Sequence, residues 1–250
     1  MTDLLDEAGW TDGDSEAFIH YGTYFVPERE RQIETVSRLA AARADADAHF
    51  ADIGCGEGLL AESLLARLPK ATVYALDGSE AMLDHARARL SEYEGRVHFG
   101  IIDVADDSWW RFPHALSAVV SSLTLHHLLD DEKRHFYAGM WNVLKPGGAL
   151  IMADLIRPNS RAAWELAGAE WDVATKDRSL ALHGDLEPFE RFVEWTWNLF
   201  TDPDPPTTER PSTVLDHLRW LEEVGFEGAD VFWLSAGHAI FGGWRSPSER

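Results

Sequence analysis

Residues 50–58, Phe-Ala-Asp-Ile-Gly-Cys-Gly-Glu-Gly, constrain this chain more than any other stretch. They read as a short buried strand that runs into a turn with glycines at 54, 56 and 58 and then into a helix, and an acidic residue, Asp77, stands 25 positions beyond Asp52. A ligand can lie against bare backbone only where no Cβ intrudes and where positive φ costs little, and glycine supplies both conditions. The layout is that of a corner that takes a nucleoside.

Strand and helix signals continue around that corner. Pro27 to about Ala44 has Ile33, Val36, Leu39 and Ala40 at helical spacing, with Pro27 near the first turn. Strands are expected near 48–53, 71–76, 97–102, 116–123 and 149–155, with helices near 58–68, 79–93 and 130–143 between them. Ser79 is placed to cap the second of these helices, and Lys145-Pro-Gly-Gly turns the chain after the third. A helix over 212–223 stops at Gly225, and apolar segments at 229–234 and 238–244 stand close enough for a hairpin, so the last strand enters antiparallel. The expected fold is α/β, a doubly wound and mostly parallel seven-stranded sheet with an antiparallel last strand, plus a helical lid. The lid is residues 156–210, far longer than an ordinary α/β connection of about 2 to 6 residues, with helices expected over 160–176 and 187–200 and a Pro-rich linker after them. The organisation predicted is a cap or flap over 1–45, a core of 46–155 and 211–250, and the insertion between.

Composition narrows the partners. At 250 residues the chain is long enough for one full domain with elaborations, and no apolar run approaches the roughly 18 residues of a membrane span. The acidic start, Met-Thr-Asp-Leu-Leu-Asp-Glu, is unlike a secretory signal, so a cytoplasmic location is expected. Cys55 is the one cysteine, which excludes an intrachain disulfide and a cysteine cluster for zinc; inside the glycine turn it reads as a small space-filler. A formal net charge of −21 without a basic stripe argues against nucleic acid as partner or substrate, since such binding needs Lys and Arg to neutralise phosphates.

A dinucleotide fingerprint, GxGxxG, would place its third glycine at position 59, which is Leu59, so the pyrophosphate reading fails. Instead DIGCGEG, VYALDGSEAMLDHAR, FGIIDVAD, SSLTLHHL and VLKPGGALIMAD, in that order, resemble class I S-adenosylmethionine-dependent methyltransferases over about residues 48–155, most nearly the small-molecule branch with the ubiquinone and menaquinone C-methyltransferases. The resemblance implies a Rossmann-like methyltransferase fold, S-adenosyl-L-methionine as cofactor and S-adenosyl-L-homocysteine as product. Gly54 and Gly56 would admit the methionyl and ribose parts, with Cys55 and Ser121 beside them. Asp52 could accept from the ammonium group or an ordered water, and Asp77 from both ribose hydroxyls. Gly78 and Met82 would cover one adenine face, Asp103 would take the amino group, and the Val104 backbone would address the ring. Each has a plainer alternative: Asp77 as a helix cap, Met82 as core, Asp103 as the start of a turn.

His126 and His127, just after the fourth strand, lie where an acceptor would meet the methyl group, and imidazole is a suitable base there; the pair could equally just begin the next segment. With no carboxylate arrangement matched to them, no metal site is expected. Of 11 Trp, four fall in the insertion, and Trp164 and Trp171, seven apart, share a helix face. Packing against the sheet accounts for that stripe, as would a pocket for an apolar, aromatic or cationic acceptor. Trp197, Tyr21, Tyr24, His183 and Arg157 complete the candidates on the substrate side. Methyl transfer to a small molecule is expected, O- or N-methylation ahead of C-methylation, with no membrane partner and no oligomeric state assigned. A tRNA-base methyltransferase, a non-catalytic S-adenosylmethionine-binding protein and an NAD-dependent oxidoreductase are the alternatives.

Overall fold

The computed structural model describes residues 11–247; residues 1–10 of the expected cap and 248–250 of the expected core lie outside the described residues. The sheet contains β1 (His49–Ile53), β2 (Thr72–Asp77), β3 (Val97–Ile101), β4 (Leu116–Ser122), β5 (Leu144–Leu155), β6 (Phe226–Ser235) and β7 (His238–Arg245). Their order is β3-β2-β1-β4-β5-β7-β6, with β7 antiparallel to both neighbours and the other six strands running one way. The order reverses between β1 and β4, the place where open parallel sheets hold their ligands.

Strand alternation sends Phe50, Val73, Ala118 and Ile151 to one face and Ile53, Leu76, Val119 and Leu150 to the other. On the first face pack α2 (Arg29–Ala41) and α3 (Leu59–Arg67), with α4 (Glu80–Arg89) beside them through Leu83; on the second pack α5 (Asp130–Val143) and α8 (Val214–Val224). The inner strands β1, β2, β4, β5 and β7 are largely buried on both faces, which is why these segments read as apolar runs with little alternation, whereas the edge strands β3 and β6 keep exposed residues.

The expected hairpin closes on a two-residue turn, Ala236 and Gly237, both at positive φ (49° and 73°), the conformation whose twist matches that of the flanking strands. Lys145-Pro-Gly-Gly does turn the chain, but inside a longer strand: β5 pairs with β4 at Leu144 and again from Ala149, and the residues between form an irregularity. The insertion differs more. Its first helix, α6 (Arg161–Arg178), is capped by Ser160 and continues as a wider turn to His183, whereas the second, α7 (Glu187–Glu194), stops six residues short of its expected end because Thr196 takes φ 51°. A helix that sequence signals did not single out, α1 (Asp12–Phe25), begins at a capping box of Thr11 and Asp14. Phe25, Ala167, Trp171, Phe192, Leu199 and Phe200 form one apolar cluster that joins α1, α6 and α7. Arg178 locks the join, donating to the Thr23 carbonyl and pairing with Glu30 at 2.9 Å.

Candidate functional site

A cavity of about 970 Å³ opens where the parallel strands end, walled by the loops after β1, β2 and β4 and roofed by α1 and the segment after α7. Gly54, Gly56 and Gly58 all hold positive φ (63°, 52° and 84°). Cys55 donates its N–H to the Leu76 carbonyl at 3.0 Å, which ties the turn to β2. A Cβ on Gly54 would stand 1.9 Å from the Thr124 hydroxyl, whereas one on Gly56 would enter the cleft with the Met82 sulfur 3.9 Å away. Gly54→Ala is therefore expected to lower thermal stability by about 1–3 kcal/mol, through combined clash and backbone strain. Gly95→Ala is the control in a melting experiment, because Gly95 shares the positive φ and has nothing within 4 Å; equal losses for the two would remove the clash from the account.

Asp77 lines the cleft and braces its rim. Its Oδ2 accepts from the Gly56 N–H at 2.8 Å and its Oδ1 from the Ser79 N–H at 2.9 Å, so the carboxylate braces the glycine turn against the start of α4 while still lining the cleft. Burial raises its pKa, and the backbone donors oppose the shift. Ser79 caps α4 by accepting from the Met82 N–H, and Met82 is buried yet lines the cleft. Asp103 accepts from the Ala105 N–H at 2.9 Å, the turn foreseen for it, and with Gly78 and Val104 it lines the far end. Asp52 is buried; one oxygen accepts from the Ala61 N–H at 3.0 Å, the other has no partner among the described residues, and burial pushes the carboxyl up to about 7. Cys55 lines the cleft, but burial holds its thiol well above its ordinary value, the state of an inert space-filler. Ser121 is the exception: its hydroxyl is buried and donates to the Ile53 carbonyl at 2.8 Å, and strand alternation puts Ser122 on the cleft instead.

At the opposite end stand His126 and His127, and their surroundings distinguish them. The His126 Nδ1 lies 2.5 Å from Asp154 Oδ1, and Asp154 also accepts from the Leu125 and Leu155 N–H groups at 2.8 Å. Such an anchored carboxylate fixes the imidazole tautomer and leaves Nε2 toward the cleft, 3.4 Å from Glu209. Burial alone would lower the His126 pKa, but Asp154 and then Glu209 outweigh it and the net shift is upward. Burial and the adjacent His126 push His127 down to about 3, so it is neutral. Glu209, itself raised by burial, was invisible as a partner because it lies 83 positions from His126 in the linker. Its segment is held by the Arg210 N–H donating to the His126 carbonyl at 2.7 Å and by buried Lys133 donating to the Arg210 carbonyl and to Ser212. The carboxylate that the His pair lacked in sequence is thus present, and ligand atoms of His126, His127 and Glu209 lie within 4.8 Å of one another.

The substrate-side candidates divide. Trp171 and Trp197 line the cleft, joined by Trp195 and Phe18, which sequence reasoning did not single out. Tyr21, Tyr24, Trp164, His183 and Arg157 do not. Tyr21 donates to Glu187 at 2.9 Å, Trp164 donates to the Phe200 carbonyl at 2.8 Å, Tyr24 packs edge-on against His183, His183 pairs with Asp185, and Arg157 is exposed beyond β5. The heptad spacing of Trp164 and Trp171 correctly gives a shared face, but that face meets the apolar cluster, and only its Trp171 end reaches the cavity. Arg29 is a further residue missed, half-buried on the cleft wall.

Residues 50–148 match the family model described as a methyltransferase domain. The trans-aconitate 2-methyltransferase of Acidovorax ebreus is 33% identical over 143 residues, covering 56% of this chain and 52% of that one. The carboxy-S-adenosyl-L-methionine synthase of Shewanella amazonensis is 29% identical over 136 residues, covering 53% and 54%. The chain thus spans about half the length of these curated relatives. Among solved structures, an O-methyltransferase family protein from Burkholderia thailandensis superposes with a TM-score of 0.68 at 18% identity, over 94% of this chain and 60% of that one. Human N-acetylserotonin methyltransferase, solved with S-adenosylmethionine, gives 0.59 at 16% identity, over 95% and 57%. Residues 50–148 thus match a methyltransferase domain, and the sheet that holds them has the fold of these methyltransferases. Among the described residues no helix is long and apolar enough to cross a membrane.

Proposed function

We propose that this protein transfers a methyl group from S-adenosylmethionine to an oxygen or nitrogen of a small molecule held between His126 and the Trp171, Trp195 and Trp197 wall. When bound, the donor supplies an already activated methyl group, so the protein's task is alignment, exclusion of water and, for a protonated acceptor, removal of a proton. The residues fit that donor. Gly56 leaves space that a Cβ would fill, Asp77 keeps acceptor capacity toward the cleft, Asp52 has an oxygen without a partner among the described residues, and Met82 offers a polarisable thioether suited to a flat ring. At the acceptor end His126 takes the proton on Nε2, Asp154 stabilises the resulting imidazolium, and neutral His127 stays out of the transfer. The single observation that carries O- or N-methylation is the buried His126–Asp154 pair facing the cavity. A relative named for trans-aconitate and a fold neighbour named as an O-methyltransferase support a small acceptor. The acidic chain argues against a polynucleotide.

The pair and Glu209 share a proton in this account, with no metal ion between them. His127 Nδ1 faces the Thr208 carbonyl at 3.3 Å and donates to it, which leaves Nε2 as the one ring nitrogen with a lone pair. Turnover is expected to be unchanged after dialysis against a chelator and on adding zinc or magnesium; a fall that one metal restores would overturn this part. The reading as a whole is tested by a screen of phenols, amines and carboxylates with methyl-labelled donor. Label should pass to at least one class with release of S-adenosylhomocysteine, and transfer only to tRNA would refute it.

A further inference from the structure

Arg29, the first residue of α2, places a cation inside the cofactor half of the cleft with no carboxylate paired to it among the described residues. Its Nη1 donates to the Ser122 hydroxyl at 2.6 Å, and among the described residues no carboxylate stands within ion-pair distance of the guanidinium. Burial pulls the group down to about 10, against the pull of Asp52, Glu57 and Glu30, which lie farther off. Asp52 is a poor counter-ion because its own carboxyl rises to about 7, and Glu57 is engaged by Arg89 at 3.3 Å. A guanidinium carries five donors in a planar fork and is costly to enclose unless an anion meets it. Among the described residues, one of those donors has a partner.

The register shows what reaches it. Ile53 pairs with Ser121, so Ser122 stands level with Gly54, and the Arg29 fork anchored on Ser122 sits over the β1–β4 junction beside the glycine turn. Asp77 closes β2, on the other side of β1. Two strand spacings, about 10 Å, therefore separate the acidic and the basic ends of the cofactor half. A donor whose ribose is held at Asp77 and whose chain runs over Gly54 and Gly56 brings its amino-acid end to Arg29.

We infer that Arg29 forms an anion subsite for the α-carboxylate of the methionyl group, and so makes the cleft selective for donors and products that keep that carboxylate. The inference rests on S-adenosylmethionine occupying the cleft as proposed above. A fork facing a planar carboxylate gives two parallel hydrogen bonds, a geometry that Lys cannot reproduce. The same chemistry could serve a carboxylate on the acceptor, and the test separates the two sources.

The experiment is calorimetric titration of the full chain and of Arg29→Met and Arg29→Lys with two ligands, S-adenosylhomocysteine and its decarboxylated analogue S-adenosyl-3-thiopropylamine. The native chain should bind the analogue at least about 30-fold more weakly than S-adenosylhomocysteine. Arg29→Met should weaken S-adenosylhomocysteine by a similar factor and leave the analogue within about threefold, with Arg29→Lys between the two. Equal weakening of both ligands by Arg29→Met would show a merely structural role and overturn the subsite. Unchanged affinity for S-adenosylhomocysteine with a raised KM for a carboxylate acceptor would assign Arg29 to the acceptor and overturn it also. Should Arg29→Met fail to fold, the native chain alone decides, since equal affinity for the two ligands contradicts the proposal. Failure of the native chain to bind S-adenosylhomocysteine at all would instead refute the cofactor placement itself.

Discussion

Replacing Asp77 with alanine is expected to weaken S-adenosylhomocysteine binding about 100-fold or more, measured by calorimetry on protein whose circular dichroism is unchanged. Two losses combine. The carboxylate that would accept the ribose hydroxyls disappears, and so do the bonds to the Gly56 and Ser79 N–H groups that hold the glycine turn in register with α4. Charge-assisted hydrogen bonds contribute roughly 1.5–3 kcal/mol each, so the loss of a pair lies at or above that hundredfold. Asp77→Asn keeps one acceptor oxygen and should fall between alanine and the native residue. An unchanged dissociation constant in Asp77→Ala would refute the ribose assignment and leave Asp77 as a helix cap alone.

His126→Ala is expected to lower turnover by about 10²- to 10⁴-fold toward an acceptor that must lose a proton, with cofactor affinity within a few-fold of native. Only neutral His126 can take that proton. Because its pKa is raised, activity should rise with pH through a limb displaced above the ordinary histidine value near 6.5. Glu209 contributes to the upward shift, so Glu209→Gln should move the limb to lower pH, while a purely structural His126 would leave it in place. Equal loss of binding and turnover in His126→Ala would assign the residue to the fold. An acceptor already deprotonated at the assay pH provides the internal control, since its rate should depend little on His126.

The core of this molecule was legible because its signals are local. A buried strand needs only a short apolar run, a nucleotide turn needs glycines at fixed offsets, and Ser79 caps the helix it precedes. The residues that line the cleft beside the glycine turn followed for the same reason, since the ends of successive parallel strands must converge; Ser121 missed the cleft by one position of strand alternation. The acceptor side depends on contacts remote in sequence. Asp154 reaches His126 across neighbouring strands, and Glu209 arrives on a linker strapped down by Lys133, neither of which periodicity encodes. Arg29 opens an ordinary amphipathic helix, and only the tertiary placement beside Ser122 sets it apart. Helix α1 escaped notice because its apolar residues do not gather on one face: Phe18 lines the cleft, and Phe25 at its end belongs to the lid cluster. In the insertion, Trp164 and Tyr21 resembled ligand contacts by residue type but are hydrogen-bonded within the lid, the commoner use of such side chains.

A competitive titration of the full chain with S-adenosylhomocysteine and with NAD tests most directly whether the glycine turn and Asp77 hold a sulfonium nucleoside. Saturable one-to-one binding of S-adenosylhomocysteine, undisturbed by excess NAD, is the predicted result; saturable binding of NAD with none of S-adenosylhomocysteine would contradict it.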